Sequence, residues 1–226
     1  MTNTEINSPM TDDESKAGGP SQAPDETIAA LYEFCAGVIA DPPDGEAVER
    51  LLDAPLPGSR DVPNESLEQG FERLDAWRRS VDDPDAEAER LAVEHTRLFV
   101  GPRPALQVHE SYYADEYLGE PLARVRGTYD AVDIDPADGL REEADHAAVE
   151  LSALATLSRR KTETDDATPS DTAFFLQEHG WWLPALADDL EEASDGRFYA
   201  GVAALVAGLV RLDAERRGVS LERPPD

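Results

Sequence analysis

The chain has 226 residues, of which 40% are hydrophobic, and its 49 acidic residues outnumber its 20 basic residues, for a formal net charge of −29. This length and apolar content favour one globular domain built around a single core. Because nucleic-acid binding relies on clustered lysine and arginine, the acidic charge excludes a nucleic-acid partner.

Residues 1–24 are polar and rich in Pro, Gly, Ser and Asp. They offer too little apolar surface to offset the entropy cost of ordering, so we predict a disordered acidic tail. The tail lacks the apolar stretch of a signal peptide, and no run in the sequence reaches the roughly 20 apolar residues that span a bilayer. We therefore expect a cytoplasmic protein without direct membrane insertion.

From Asp25, apolar residues recur every three or four positions as far as Ile39, which predicts an amphipathic helix that Pro42 ends. Cys35 is the single cysteine and lies in this apolar run, so we expect a buried, unreactive thiol. Further helices are predicted near residues 44–54, 64–81, 84–99, 121–132, 141–160 and 196–217. An aromatic segment near 174–186 is predicted to form two helices, divided at Gly180 and Pro184.

The connections between these helices differ in character. Residues 100–120 are rich in glycine, proline and tyrosine, which predicts a loop with at most a short helix, and loops of this length are often functional. Residues 133–139 are predicted to form an acidic turn, and the polar connection at 161–170 is predicted to be mobile. Since no stretch alternates as a strand does, we predict an all-α, single helical-bundle domain over 25–218, with a C-terminal tail at 219–226.

The positive charge is almost all arginine, since the only lysines are Lys16 and Lys161. A large net charge destabilises a compact state in dilute buffer through self-repulsion. At an ionic strength of about 1 M, the Debye length shrinks to about 3 Å and this repulsion is largely screened. The composition therefore predicts adaptation to molar salt, with binding to a basic partner as the alternative explanation.

The polar residues that interrupt the helical pattern allow two kinds of site. The first is a metal-dependent hydrolase with His95, Asp145, His146 and Glu150 as its candidate residues. His146 and Glu150 are four positions apart and would share one face of a predicted helix. No dense metal-ligand motif, phosphate-binding glycine loop or nucleophile elbow accompanies them, so we predict no catalytic residues, no metal and no cofactor.

The second kind of site is a peptide-binding groove. Leu98 and Phe99 end a predicted helix, and the Asp-His-x-x-x-Glu sequence at 145–150 would place acidic and imidazole groups at the rim of such a groove. Carboxylates bind guanidinium groups through paired hydrogen bonds, so the groove suits an apolar peptide that carries arginines. Simple burial of Leu98 and Phe99 in the core is an equally good explanation of these two residues.

Several short motifs occur in order along the chain. They are Glu94-x-x-x-Leu98-Phe99-x-Gly101-Pro102, Glu110-Ser111, Asp145-His146-x-x-x-Glu150-Leu151 and Phe175-Leu176-x-x-His179-x-x-Trp182-x-Pro184. Together, from about residue 28 to 215, they resemble the TorD/DmsD/NarJ family. The chain departs from the family pattern in three places: His95 replaces a common aromatic residue, Gln107-Val108-His109 replaces a Pro-Pro-aromatic sequence, and Ala144 replaces a frequent proline.

The resemblance implies a haloarchaeal-like, cytoplasmic chaperone for the maturation of a molybdopterin-dependent oxidoreductase that reduces dimethyl sulfoxide, trimethylamine N-oxide or nitrate. The implied partner is the immature catalytic subunit with its twin-arginine signal peptide, bound before cofactor insertion and export. The implied client-binding residues are His95, Leu98, Phe99, Glu110, Ser111, Asp145, His146 and Glu150. The chaperone is expected to be a monomer or a domain-swapped dimer.

Overall fold

The computed structural model describes residues 25–57, 62–114, 119–135, 142–160 and 170–224. In these ranges the chain is helical, with turns and loops between the helices, which confirms the predicted all-α fold. The helices are α1 (Asp25–Ala40), α2 (Gly45–Asp53), α3 (Glu65–Arg78), α4 (Pro84–His95), α5 (Glu110–Tyr113), α6 (Glu120–Ala131), α7 (Ala147–Arg159), α8 (Asp171–His179), α9 (Leu183–Ala193) and α10 (Arg197–Arg217), with a π-helical turn at Thr96–Val100 directly after α4. The predicted tail at 1–24 and nearly all of the connection at 161–170 lie outside the described residues.

Short polar side chains and prolines mark most of the helix starts. The side chains of Asp44, Asn64 and Asp83 accept hydrogen bonds from backbone N–H groups in the first turns of α2, α3 and α4. These caps satisfy donors that the helix leaves unpaired at its start. Gly180 ends α8 and Pro184 lies in the first turn of α9, so the predicted division of the aromatic segment is confirmed.

One predicted boundary is wrong. The helix expected over 141–160 begins only at Ala147, so Asp145 and His146 precede it and His146 is its N-cap residue. His146 and Glu150 therefore do not share a helix face in the way the sequence pattern suggested. The reason is backbone pairing with the loop after α4, in which Glu110 N–H donates to Asp145 O at 2.9 Å and Ala147 N–H donates to Val108 O at 2.8 Å.

The core is centred on α10, which is buried along most of its 21 residues. Helices α3 and α9 pack on α10, and α1 packs mainly on α7. Cys35 of α1 is fully buried, and burial raises the pKa of its thiol to about 12, as expected for an unreactive cysteine. Neither α10 nor any other helix in the described ranges is long and apolar enough to cross a membrane.

Glycines let α3 and α10 approach each other closely. A Cβ atom on Gly208 of α10 would lie 2.7 Å from Leu67 Cγ and 2.8 Å from Leu67 N, and one on Gly70 of α3 would lie 2.7 Å from Leu205 Cδ2. Real side chains do not tolerate such distances, so a larger residue at either position would push the helices apart. The crossing that builds the core thus depends on residues that local helix propensity disfavours.

We expect Gly208→Ala to lower the free energy of unfolding by about 1–3 kcal/mol, because overpacking outweighs the gain in helix propensity. The matched control is Gly37→Ala in α1, where the new Cβ would have no neighbour within 4 Å. That substitution should leave stability unchanged or raise it by up to about 1 kcal/mol. Urea denaturation of both variants measures the difference, and equal stabilities would contradict the close-packing argument.

Candidate functional site

The loop after α4 is fastened to the start of α7. Beyond the π-helical turn, Ala105 N–H donates to Arg97 O at 3.0 Å and Leu106 N–H donates to Leu98 O at 3.1 Å, so the chain turns back on itself. It then forms an antiparallel bridge between His109 and His146. This arrangement brings together two segments that carry most of the predicted client-binding residues.

Asp145 is the polar centre of this junction. Its carboxylate is completely buried and accepts hydrogen bonds from His109 Nδ1 at 3.1 Å and from Ser111 N–H at 3.3 Å. Burial would raise the pKa of Asp145, but the hydrogen bonds from His109 and Ser111 outweigh it and hold the pKa at about 2. Asp145 is therefore an anion at neutral pH, and its hydrogen bonds hold the loop in place.

His146 caps α7 in its neutral form. Its Nδ1 accepts a hydrogen bond from Ala148 N–H at 3.1 Å, which requires that nitrogen to be unprotonated. Burial lowers the pKa of His146 to about 4, with a further lowering from the charge of His109. Burial also lowers the pKa of His95, whose Nε2 donates to Ile39 O at 3.0 Å.

A lowered histidine pKa makes the folded state sensitive to acid. Because the unfolded chain binds a proton near pH 6.5 and folded His146 only near pH 4, stability is lost as the pH falls through this window. We expect wild-type protein to lose about 1–2 kcal/mol of unfolding free energy between pH 7 and pH 5 through His146. His146→Asn retains a good N-cap without titrating. Denaturation of both proteins at the two pH values should show a smaller loss in the variant, and an equal loss would rule out His146 as the cause.

Glu110 is the centre of a second buried network, which joins the loop to α6 and α8. Its Oε2 accepts from His179 Nδ1 at 2.8 Å, and its Oε1 accepts from Trp181 Nε1 at 2.9 Å. The other ring nitrogen of His179 lies 2.9 Å from Thr128 Oγ1. Both Glu110 and His179 are almost completely buried, so the hydrogen bonds of His179 are shielded from water, while the bond from Trp181 is partly buried.

Glu150 lies next to this network on α7. Its Oε2 accepts from Trp182 Nε1 at 2.8 Å, while its Oε1 has no hydrogen-bond partner among the described residues. Burial, and then the neighbouring charge of Glu110, raise the pKa of Glu150 well above its ordinary value. Burial next to a second carboxyl group therefore favours the protonated form of Glu150.

The structure places nearly all of the predicted client-binding residues inside the protein. His95, Leu98, Glu110, Ser111, Asp145, His146 and Glu150 are buried, and Phe99 is half-buried. The side chains that this region presents to solvent include Val100, which is 65% exposed, Tyr112, which is 50% exposed, and the half-buried His109 and Tyr113. The predicted residues therefore shape the loop, and their neighbours form its surface.

Residue-by-residue reasoning did not assign His109, Thr128, His179, Trp181 or Trp182 to the site. His179 and Trp182 do stand in the last of the family motifs, which was the signal that they act with Glu110 and Glu150. Thr128 and Trp181 had no comparable signal. Their roles depend on contacts with residues more than 50 positions away, such as the 2.9 Å hydrogen bond between Trp181 and Glu110.

The candidate metal ligands do not assemble into a metal site. Across the described ranges, no group of three or more histidine, cysteine or carboxylate side chains is placed to hold an ion. His95 and His146 each use a ring nitrogen in a hydrogen bond to the backbone, and both carboxylate oxygens of Asp145 are engaged. The hydrolase alternative gains no support from this geometry.

A separate apolar groove of about 500 Å³ lies between α1, α3, α10 and the segment after α2. Its floor includes Trp77 and Phe198, whose ring centroids are 4.7 Å apart. Phe198 contacts Tyr199, and Tyr199 in turn contacts Phe99 at 5.6 Å, so an aromatic cluster connects the groove to the π-helical turn. None of the predicted client-binding residues lines the groove itself.

Comparison with known proteins places this site within a matched family region. The sequence model of the nitrate reductase delta subunit family matches residues 64–188, which is more than half of the chain and contains all the predicted site residues. The chain belongs to this TorD/DmsD/NarJ family. The curated protein named chaperone protein TorD from Vibrio parahaemolyticus is 30% identical over 67% of this chain and 75% of its own length.

Further relatives carry the same name. A chaperone protein TorD from Vibrio cholerae is 28% identical over 62% of this chain and 67% of its own length. Another from Vibrio vulnificus is 29% identical over 63% of this chain and 70% of its own length. These matches confirm the family resemblance that the motifs indicated. These relatives are all named as chaperones, which supports the prediction that the protein is not an enzyme.

Proposed function

We propose that this TorD-family chaperone assists the maturation of a molybdopterin-dependent oxidoreductase in the cytoplasm. It binds the immature catalytic subunit and its twin-arginine signal peptide until the cofactor is inserted and the client is ready for export. The observation that carries this proposal is the family match, which spans the whole of the junction between the loop and α7. The charge of −29 also favours a peptide that carries arginines.

The proposed client-binding region is the loop surface supported by the predicted residues. Tyr112, Tyr113 and Val100 supply apolar and aromatic contact area, and Phe99 is half-buried. Exposed carboxylates lie close by, since Tyr113 OH donates to Asp189 at 2.7 Å and Glu142 lies 3.9 Å from His146 Nε2. An apolar surface with carboxylates beside it suits an apolar peptide with adjacent arginines.

Affinity capture from the native cytoplasm at molar salt, followed by mass spectrometry, tests the function as a whole. Recovery of a molybdopterin oxidoreductase subunit that still carries its leader is the expected result and would name the client. Repeated capture without any such subunit would contradict the proposal. A parallel capture with the Asp145→Asn variant shows whether recovery depends on the proposed region.

Asp145→Asn is expected to weaken binding of the client's leader peptide about ten-fold, equivalent to about 1.4 kcal/mol. The asparagine removes the negative charge that holds His109 and the Ser111 N–H group, so the loop loses its fixed shape. Asp82→Asn, at an exposed position between α3 and α4, is the matched control and should bind as wild type does. Fluorescence anisotropy with labelled peptide measures both. Equal affinities, with helical circular dichroism retained, would remove Asp145 from the site.

A further inference from the structure

An arginine of the chain itself lies against the proposed client-binding region. After α10 the chain turns back, with Val219 N–H donating to Ala214 O at 2.9 Å, and residues 219–224 run toward α8 and the loop. Leu221 packs on the core close to Gly180, at which a Cβ atom would lie 3.1 Å from Leu221 Cδ2. This contact positions Arg223, two residues further on.

Among the described residues, the Arg223 guanidinium contacts Trp181 and Ala114. Its Cζ lies 5.4 Å from the centroid of the Trp181 ring, and its Nη2 donates to Ala114 O at 3.1 Å. An aromatic face with a backbone carbonyl beside it is a typical binding arrangement for a guanidinium group. Ala114 ends α5, the short helix of the loop that begins at Glu110.

The buried network fixes the Trp181 ring for this contact. Trp181 Nε1 donates to Glu110, whose other oxygen accepts from His179, so the indole cannot turn without breaking a partly buried hydrogen bond. A hydrogen bond from the indole N–H to a carboxylate also increases the electron density of the ring, which strengthens its attraction for a cation. The network therefore prepares a cation-binding surface, in addition to holding the loop.

We infer that Trp181 and Ala114 O form a subsite for an arginine of the client, and that Arg223 occupies this subsite until a client displaces it. The inference rests on the proposed function and names a contact within it. Arg223 is exposed, and the packing of Leu221 holds its segment beside the site. Its occupancy is thus an intramolecular competition, which a peptide with additional apolar contacts can win.

The test uses Arg223→Gln in the full chain, which removes the guanidinium and keeps the length of the segment. Because apparent affinity falls with the fraction of sites already occupied, the variant should bind an arginine peptide about three- to ten-fold more tightly than wild type. The probe is a labelled hexapeptide with two adjacent arginines followed by leucines, and a lysine version of it serves as the competitor for comparison. The matched control is Arg211→Gln, whose guanidinium donates to Ser66 on α3, and it should not change the affinity.

A second readout reports on Trp181 directly. In Arg223→Gln, the indole N–H resonance of Trp181 should shift as the arginine peptide is added, and Trp181→Leu should abolish the gain in affinity. An affinity of Arg223→Gln that equals that of wild type and Arg211→Gln, or an unshifted Trp181 resonance at saturation, would overturn the inference. If client capture still succeeds in that case, the proposed function stands without this subsite, whereas failed capture counts against the function itself.

Discussion

Glu110→Ala is expected to lower the free energy of unfolding by about 2–5 kcal/mol, since each buried donor left without an acceptor costs roughly 1–3 kcal/mol. The substitution leaves His179 Nδ1 and Trp181 Nε1 without their partner. The Glu110 charge helps to raise the pKa of Glu150, so its loss lowers that pKa again. This change offsets a smaller part of the lost unfolding free energy. Chemical denaturation measures the net loss.

Two further variants separate the buried network from general effects of removing a glutamate. Glu89 is exposed on α4, so Glu89→Ala should change stability by no more than about 0.5 kcal/mol. Glu110→Gln keeps one acceptor oxygen and should lose less than Glu110→Ala. If Glu110→Ala proves as stable as Glu89→Ala, then Glu110 does not hold the loop, and the support for the proposed arginine subsite at Trp181 is lost as well.

The sequence predicted the helices well because local chemistry fixes their ends. Asp83 followed by Pro84 starts α4, and Gly180 followed closely by Pro184 divides α8 from α9. Each of these signals acts over a few residues and can be read without knowing the fold. The period of apolar residues likewise identified Cys35 as buried.

The site could be predicted only in part, because its contacts connect distant parts of the chain. The motifs pointed to Glu110, Asp145 and Glu150, but not to their burial or their partners. Backbone pairing with the loop at 108–110 prevents the helix from starting before Ala147. No sequence signal near residue 141 indicates this later start. Similarly, local helix propensity disfavours Gly208 within α10, although the close approach of α3 requires a glycine there.

Dialysis from about 1 M to about 0.01 M salt is expected to abolish most of the helical circular dichroism, because the Debye length rises from about 3 Å to about 30 Å and the surface carboxylates repel one another. The 20 basic residues cannot neutralise 49 acidic ones. Several arginines are already committed to ion pairs, including Arg73 with Glu191 and Arg126 with Glu143. The remaining acidic charge has only salt to screen it.

Screening depends on ionic strength and not on the identity of the cation, so sodium chloride and choline chloride at equal ionic strength should preserve the helices equally. Protection by sodium alone would indicate specific ion binding instead. Full retention of helicity at about 0.01 M salt would contradict adaptation to salt and would leave recognition of a basic client as the better explanation of the charge. In that case leader-peptide binding should strengthen steeply as salt is removed, since exposed carboxylates would then attract the client's arginines over a longer range.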